Sequence, residues 1–174
     1  MLVIYMKNIV LIGMPGAGKS TVGVLLAKTL LMDFTDTDLL IQNESKKALC
    51  DIISEKGTEY FIRVEEDIIL KHSFANSVIA TGGSAVYGEN AMKSLSKNGV
   101  IVYLKVSLPE LIKRLGDITT RGIAMGKDSG IPELFSERSP LYEKYARITV
   151  DCTGKTPEEC VGSIAEKLKE ECYD

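Results

Sequence analysis

Gly13-Met14-Pro15-Gly16-Ala17-Gly18-Lys19-Ser20 is the stretch of sequence that decides the fold. It matches the pattern G-x-x-x-x-G-K-[ST], which is typical of a loop that binds the phosphates of a nucleotide. An apolar run at 8–12 precedes it and apolar residues at helical spacing follow it, so we predict a strand, a loop and a helix N-terminus that together surround a phosphate. Lys19 is predicted to reach the β- and γ-phosphates, and the Ser20 hydroxyl to bind Mg²⁺.

The composition indicates the class of protein. The chain has 174 residues, of which 45% are hydrophobic, and this predicts a single domain with a sizeable core. Lysine and arginine number 21 against 24 aspartates and glutamates, for a formal net charge of -3. Because nucleic-acid surfaces are usually basic, this balance argues against a nucleic-acid partner. No apolar run approaches the roughly 18 residues that a membrane span needs, so we expect no membrane association.

The cysteines and the first residues bear on localisation. The four cysteines form no C-x-x-C pair, and with a single histidine no zinc-ligand set is expected. Residues 1–7 lack the basic start and long apolar core of a secretory signal. We therefore predict free thiols in a cytoplasmic protein, because a reducing compartment keeps cysteines unpaired.

Apolar runs alternate with helical patterns along the chain. Runs rich in β-branched residues predict five strands, near 8–12, 33–35, 77–81, 100–104 and 147–151. Periodic patterns predict helices over about 19–31, from Asp38 onward, and over 48–55, 58–73, 88–97, 109–115, 132–145 and 157–171. This alternation predicts an α/β fold, a three-layer sandwich around a parallel sheet, with ligands outside the carboxyl ends of the strands.

Three polar or glycine-rich groups follow these strands. Asp36 and Asp38 end the second strand, where they either bind a metal or a hydroxyl group or serve in plain turn and capping chemistry, with Asp38 as the N-cap. Gly82-Gly83 after the third strand either lets a ligand approach the backbone or forms a tight turn. Segment 116–130 is rich in glycine and lacks a periodic apolar pattern, which fits either a flap over phosphates or a solvated loop.

Together these motifs resemble the shikimate kinase family, small P-loop kinases of the nucleoside-monophosphate-kinase type. The resemblance covers residues 8 to about 168 and rests on Asp36-x-Asp38, Thr81-Gly82-Gly83, the Arg114/Arg121 spacing and Glu137-Arg138-Ser139-Pro140-Leu141-Tyr142. It implies ATP-dependent phosphoryl transfer to a hydroxyl of a small metabolite, with shikimate as the default acceptor and shikimate 3-phosphate as the product. It also implies a single P-loop kinase domain with strand order 2-3-1-4-5, an acceptor-binding helical segment over about 36–73 and a lid over about 114–130.

The resemblance assigns roles to individual residues. Those implied to bind ATP are Gly13, Met14, Pro15, Gly16, Ala17, Gly18, Lys19, Ser20, Thr21, Arg114 and Pro157, with Arg114 packed on adenine. Those implied to bind the acceptor are Asp38, Glu65, Gly82, Gly83, Ser84 and Arg138, with Arg138 on its carboxylate. Ser20 and Asp36 are implied to hold Mg²⁺. Lys19, Asp38 and Arg121 are implied to be catalytic, with Asp38 taking a proton and Arg121 meeting the transferring phosphoryl group. We expect a monomer with a small-molecule substrate.

The sequence departs from the family pattern at three sites. Ile62 stands where the family has an arginine that pairs with the acceptor's carboxylate and with a glutamate, here Glu65. Ser84 replaces a third glycine, and Gly122-Ile123 replaces the usual Pro-Leu after the lid arginine. One charge-assisted hydrogen bond contributes roughly 1.5–3 kcal/mol, so losing a carboxylate contact predicts binding weaker by about ten- to a hundredfold. One alternative is therefore a family kinase for another polyol or sugar acid. A separate alternative, from another functional class, is a nucleotide-binding module without catalysis.

Overall fold

A computed structural model of the chain describes residues 7–116 and 130–171. Five parallel strands form one sheet in the order β2-β3-β1-β4-β5, which confirms the predicted order. The strands are β1 (Asn8–Ile12), β2 (Asp33–Asp36), β3 (Ser77–Ala80), β4 (Gly99–Lys105) and β5 (Ile148–Asp151). Most of the predicted lid, including Arg121 and Gly122-Ile123, lies outside the described residues.

The predicted helices occur, with ends that differ from the prediction by at most two residues. They are α1 (Lys19–Leu30), α2 (Thr37–Ser45), α3 (Leu49–Lys56), α4 (Thr58–Lys71), α5 (Glu89–Asn98), α6 (Leu108–Leu115), α7 (Ile131–Tyr145) and α8 (Pro157–Glu171). A short 3₁₀ turn, Ala85–Tyr87, follows β3. Within the described ranges, no helix combines the length and the apolar character needed to cross a bilayer.

The central strand shows how the layers are arranged. All five residues of β1 are buried. Because successive side chains of a strand point to opposite faces, both faces of the sheet must be covered there, and this confirms the three-layer sandwich. Helix α1 packs on β2, on β3 and against α8, whereas α5 and α7 pack on β4.

Helices α2, α3 and α4 form a segment with a small core of its own. Ile41, Ile52, Phe61 and Ile68 are buried against one another in this segment. It connects β2 to β3 in the chain, and α4 also packs on α5 and on the 3₁₀ turn. This segment coincides with the predicted acceptor-binding region, residues 36–73, and it places the start of α2 beside the end of β3.

The start of α2 corrects one sequence prediction, because Asp36 rather than Asp38 is the N-cap. The Asp36 carboxylate accepts hydrogen bonds from the backbone N–H groups of Asp38 (3.0 Å) and Leu39 (3.4 Å). An N-cap side chain precedes the first helical residue, which here is Thr37. Asp38 therefore lies in the first turn of the helix, and its carboxylate is not used for capping.

Candidate active site

A cleft of about 810 Å³ lies where β1, β2 and β3 end. Its lining comes from the phosphate loop and the start of α1, from the end of β2, from α2, α3 and α4, from the turn after β3, and from α6, α7 and α8. The lining residues are Pro15, Gly16, Gly18, Lys19, Ser20, Thr21, Asp36, Asp38, Leu39, Gln42, Leu49, Phe61, Thr81, Gly82, Gly83, Ser84, Arg114, Arg138 and Pro157. Residues that are far apart in the sequence meet here because the carboxyl ends of parallel strands share one edge of the sheet.

The phosphate loop has a backbone that only glycine adopts easily. Gly13, Gly16 and Gly18 all have positive φ, at 147°, 80° and 92°. At Gly13 a Cβ atom would also fall 2.7 Å from the carbonyl oxygen of Leu104. Of the other predicted loop residues, Met14 and Ala17 are buried in the core rather than on the cleft. The loop is therefore a cradle of backbone N–H groups, anchored by apolar side chains below it.

Lys19 is held inside this cradle. Its ammonium group donates hydrogen bonds to the carbonyl oxygens of Gly13 (2.8 Å) and Met14 (3.0 Å). Burial lowers the pKa of Lys19 to about 8, although the negative charge of Asp38 partly opposes this shift. The side chain is thus positioned where the phosphates of a nucleotide would enter the loop.

Ser20 and Asp36 meet at the edge of the loop. The Ser20 hydroxyl donates to Asp36 Oδ2 at 2.6 Å, while Asp36 Oδ1 caps α2. A hydroxyl and a carboxylate are suitable ligands for Mg²⁺, which proteins usually hold with one or two carboxylates and the substrate's phosphates. In the parts of the chain that the structure describes, no cluster of three histidine, cysteine, aspartate or glutamate side chains offers a complete metal site. The pair fits Mg²⁺ shared with phosphates.

Asp38 lies two residues after Asp36, and its carboxylate packs against the turn after β3. A Cβ atom placed on Gly82 would fall 2.8 Å from Asp38 Oδ1, so only glycine leaves room for this carboxylate. The Gly82 N–H donates to the Thr37 hydroxyl at 3.1 Å, which ties the turn to the start of α2. Burial raises the pKa of Asp38 to about 6, and the charge of Asp36 adds to this effect while that of Lys19 opposes it.

Glu65 lies behind this turn and does not line the cleft. A Cβ atom on Gly82 would fall 2.2 Å from Glu65 Oε1, which has no hydrogen-bond partner among the described residues. Glu65 Oε2 accepts a hydrogen bond from the Ser84 hydroxyl at 2.5 Å. Burial raises the pKa of Glu65 to about 7, and Asp38 adds to the rise while Ser84 and Arg138 oppose it. The predicted contact between Glu65 and an acceptor therefore stays a prediction.

Arg138 is a guanidinium group on the cleft that is only 1% exposed. Its Nε donates to the Tyr87 hydroxyl at 3.2 Å, and its central carbon lies 5.2 Å from the centre of the Tyr87 ring. Tyr87 in turn donates to Glu137 at 2.5 Å. Tyr142, one helical turn after Arg138, donates to the carbonyl oxygen of Gly83 at 2.7 Å. These contacts fix both the arginine and the glycine turn beside it.

Arg114 from α6 and Pro157 from α8 also line the cleft. Arg114 donates to the carbonyl oxygens of Gly16 and Cys152, both at 3.4 Å, and pairs with Glu110 one turn earlier on α6. Arg114 therefore connects the phosphate loop to the segment that follows β5.

Sequence reasoning missed several residues of this site. Four of them line the cleft from the α2–α4 segment: Leu39, Gln42, Leu49 and Phe61. The fifth is Tyr87, whose hydroxyl accepts a hydrogen bond from Arg138. One signal was present for Gln42, since it lies four residues after Asp38 and so on the same face of α2. No local pattern marks Tyr87, because its partner lies 51 residues away.

The comparisons with known proteins agree with this geometry. The family model that matches, described as "Shikimate kinase", covers residues 15–169. A shikimate kinase of Thermodesulfovibrio yellowstonii is 41% identical over 169 residues, 95% of each chain, and one of Caldanaerobacter subterraneus is 39% identical over 166 residues, 94% of each chain.

Solved structures lead to the same family. A shikimate kinase from Acinetobacter baumannii, in complex with shikimate, superposes with a TM-score of 0.88 at 26% identity, over 95% of this chain and 94% of the other. One from Aquifex aeolicus gives a TM-score of 0.82 at 33% identity, over 95% and 98%. The fold and the site therefore define an ATP-dependent kinase with a phosphate-binding loop. Within that class, the chain belongs to the shikimate kinase family.

Proposed function

We propose that the protein transfers the γ-phosphoryl group of ATP to a hydroxyl of shikimate, giving shikimate 3-phosphate. Membership of the family supports this reaction, and so does the likeness to a structure solved with shikimate. The observation that carries the proposal is that Asp38 and Arg138, of opposite charge, face the same cleft as Lys19. An acceptor with a hydroxyl at one end and a carboxylate at the other fits between them.

Asp38 is the residue that we propose binds the reacting hydroxyl and takes its proton. Its pKa of about 6 leaves it ionised at neutral pH, yet makes it a stronger base than an exposed aspartate. A general base works best when its pKa lies close to the working pH. Gly82 allows the acceptor to approach this carboxylate closely because it carries no side chain.

Arg138 is proposed to bind the acceptor's carboxylate. Its Nε donates a hydrogen bond to the Tyr87 hydroxyl, and this contact fixes the plane of the guanidinium group and so the direction of its terminal nitrogens. Hydrogen bonds between a guanidinium and a carboxylate are about twice as strong as those between neutral groups. Buried as it is, Arg138 would orient the acceptor as well as bind it.

The phosphate loop and Lys19 are proposed to bind the phosphates of ATP. The backbone N–H groups of the loop and the N-terminus of α1 would attract the negative phosphates, and Lys19 would exchange its carbonyl partners for phosphate oxygens. Ser20 and Asp36 would hold Mg²⁺, which when bound supplies further neutralisation of phosphate charge. Arg114 and Pro157 would flank adenine, and Arg121 would meet the transferring group.

The remaining expectations also stand as proposals. Helices α2 to α4 would form the acceptor-binding segment, supported by the cleft residues Asp38, Leu39 and Gln42 that they contribute. Residues 114–130 would act as a lid over a single kinase domain. We also propose a cytoplasmic monomer without a nucleic-acid partner, and light scattering on the purified protein measures its mass in solution.

One observation supports a second candidate, phosphorylation of a different polyol or sugar acid. Position 62 carries a half-buried isoleucine that does not line the cleft, and Arg63 beside it is exposed. An arginine at position 63 projects about 100° away from position 62, because a helix has 3.6 residues per turn. Near Asp38, Arg138 is therefore the one arginine among the described residues that line the cleft. A substrate that offers less carboxylate to bind would also fit this site.

A steady-state assay tests these proposals. ADP release and ³¹P NMR of the product are measured with ATP, Mg²⁺ and shikimate, in parallel with a panel of polyols and sugar acids. We expect saturable phosphorylation of shikimate, with a KM in the range of about 1 μM to 1 mM that is usual for enzymes. Transfer to another acceptor, with none to shikimate, would select the second candidate. ATP binding without transfer to any acceptor would indicate a module without catalysis.

A further inference from the structure

Glu65 and Ser84 form a buried pair behind the acceptor side of the cleft. Glu65 is 1% exposed and Ser84 is 3% exposed, and their oxygens are 2.5 Å apart. Ser84 lines the cleft, whereas Glu65 does not. Glu65 therefore reaches a bound acceptor by hydrogen bonding only through Ser84, besides the effect of its charge on Asp38, Arg138 and Lys19.

The surroundings of Glu65 favour its neutral form. A buried carboxylate with a single hydrogen bond is costly, and Oε1 has no partner among the described residues. Asp38 from α2 disfavours a charge on Glu65, while Arg138 from α7 and Lys19 from α1 act in the opposite direction without a hydrogen bond to it. The side chains that α3 and α5 bury are apolar: Ile52, Ala91, Met92 and Leu95. The pKa of about 7 agrees with this balance.

The protonation of Glu65 decides what Ser84 offers to the cleft. A hydroxyl has one proton to donate and lone pairs that accept. If Glu65 is ionised, Ser84 donates to it and presents only lone pairs to the cleft, which repel a carboxylate. If Glu65 is protonated, it donates to Ser84, and the Ser84 hydroxyl is then able to donate to the cleft.

We propose that Glu65 keeps its proton in the working enzyme, donates it to Ser84, and so directs the Ser84 hydroxyl to the carboxylate of the acceptor. The inference rests on the proposed function for the identity of that acceptor. Gly83, next to Ser84, is in contact distance of Arg138, since a Cβ atom on Gly83 would fall 3.0 Å from Nη1. Ser84 and Arg138 would thus bind one carboxylate, with Ser84 as a binding residue and Glu65 as a positioning residue.

The pH dependence of KM for shikimate tests this pair in the intact enzyme. For the wild type we expect KM to rise about tenfold between about pH 6 and pH 8.5, as Glu65 loses its proton. In Glu65→Gln the amide N–H₂ donates to Ser84 at every pH, so KM should stay low across the range. In Ser84→Ala the donor is absent, so KM should be about tenfold higher at the acidic end and independent of pH. The KM for ATP should not change in either variant.

Two controls separate a local effect from a general one. Ser77→Ala removes another buried serine, at the opposite end of β3, whose hydroxyl donates to the carbonyl oxygen of Ala75. It should leave the KM profile for shikimate unchanged. The carboxamide of shikimate, which is uncharged, should be bound with a KM that does not respond to Glu65→Gln.

Unfolding experiments test the proton on Glu65 without any substrate. A carboxyl group whose pKa is higher in the folded than in the unfolded protein binds more protons when folded, so its contribution to stability is lost as pH rises through 7. Relative to Glu65→Gln, the wild type should therefore lose stability to urea as the pH rises from about 4.5, the ordinary pKa of a glutamate, to about 7. Equal pH dependence of the two proteins would overturn the proposal.

The kinetic outcomes are equally distinct. A KM that rises in Glu65→Gln as much as in Ser84→Ala would show that Glu65 acts as an anion, and would refute the inference. So would a wild-type KM that is independent of pH. If the wild type does not phosphorylate shikimate at any pH, the proposed function fails, whereas the unfolding comparison still reports on Glu65.

Discussion

The two sides of the cleft are built by different means. The phosphate side is one continuous stretch, residues 13–21, whose shape is set by glycine backbone conformations and which we propose binds phosphate mainly through backbone N–H groups. The acceptor side is assembled from the side chains of Asp38, Ser84 and Arg138, which come from three separate elements. Side chains can be exchanged without a change in the course of the backbone. Two of the three departures from the family pattern, Ile62 and Ser84, accordingly occur on the acceptor side or in the helix that supports it, and the third falls in the predicted lid.

The largest effect is expected on the phosphate side. Lys19→Ala should lower kcat by about a hundredfold or more, because a preorganised charge that stabilises transferring phosphate is lost. The protein should still fold, because burial of the Lys19 ammonium group costs desolvation free energy and the alanine variant has no such group to bury. Lys28→Ala, an exposed lysine in the last turn of α1, is the matched control. Full activity in Lys19→Ala would refute the assignment of the phosphate loop.

On the acceptor side, replacement of Arg138 should affect one substrate only. Arg138→Lys keeps the charge but loses the planar fork, so KM for shikimate should rise about ten- to a hundredfold while KM for ATP stays the same. Arg147→Lys changes an exposed arginine that pairs with Glu171 and should leave both values unchanged. An equal rise in both KM values would indicate a general distortion of the cleft.

An arginine at position 62 tests whether the acceptor side has lost a carboxylate contact that can be restored without a change on the phosphate side. Ile62 lies three residues before Glu65 on α4, so Ile62→Arg places a cation on the same helical face. If the site is a shikimate pocket with one carboxylate contact missing, KM for shikimate should fall about tenfold. Arg63→Ala, at the exposed neighbouring position, should have no effect. An unchanged or higher KM in Ile62→Arg would favour a pocket shaped for another acceptor.

The smallest effect is expected from the support behind Arg138. Tyr87→Phe removes the hydroxyl that accepts from Arg138 Nε and keeps the ring beneath the guanidinium. Since a neutral hydrogen bond contributes about 0.5–1.5 kcal/mol, KM for shikimate should rise about two- to tenfold with kcat nearly unchanged. Tyr60→Phe removes the hydroxyl of an exposed tyrosine and serves as control. A fall in kcat as large as the rise in KM would mean that Tyr87 does more than position Arg138.

Most of the fold was predictable, because it depends on local periodicity. Apolar runs of strand length and 3.6-residue patterns located every strand and every α-helix of the described residues, with each predicted end within two residues, but not the 3₁₀ turn after β3. The assignment of Asp38 as an N-cap was wrong, since two aspartates in the sequence Asp36-Thr37-Asp38 are equally good caps by residue type. The choice between them depended on where α2 begins after β2, and the pairing of Asp36 with Ala80 in the sheet fixes that point.

The sequence by itself determined the phosphate side of this protein, because a loop built from adjacent residues and backbone N–H groups is specified by its glycines and by Lys19 and Ser20. Only the tertiary structure decided how the acceptor side is supported. Ser84 meets Glu65 across 19 residues of chain, and Arg138 meets Tyr87 across 51. The raised pKa of Glu65 is caused mainly by its burial. Burial depends on how the helices pack around this residue, so no local sequence pattern predicts it.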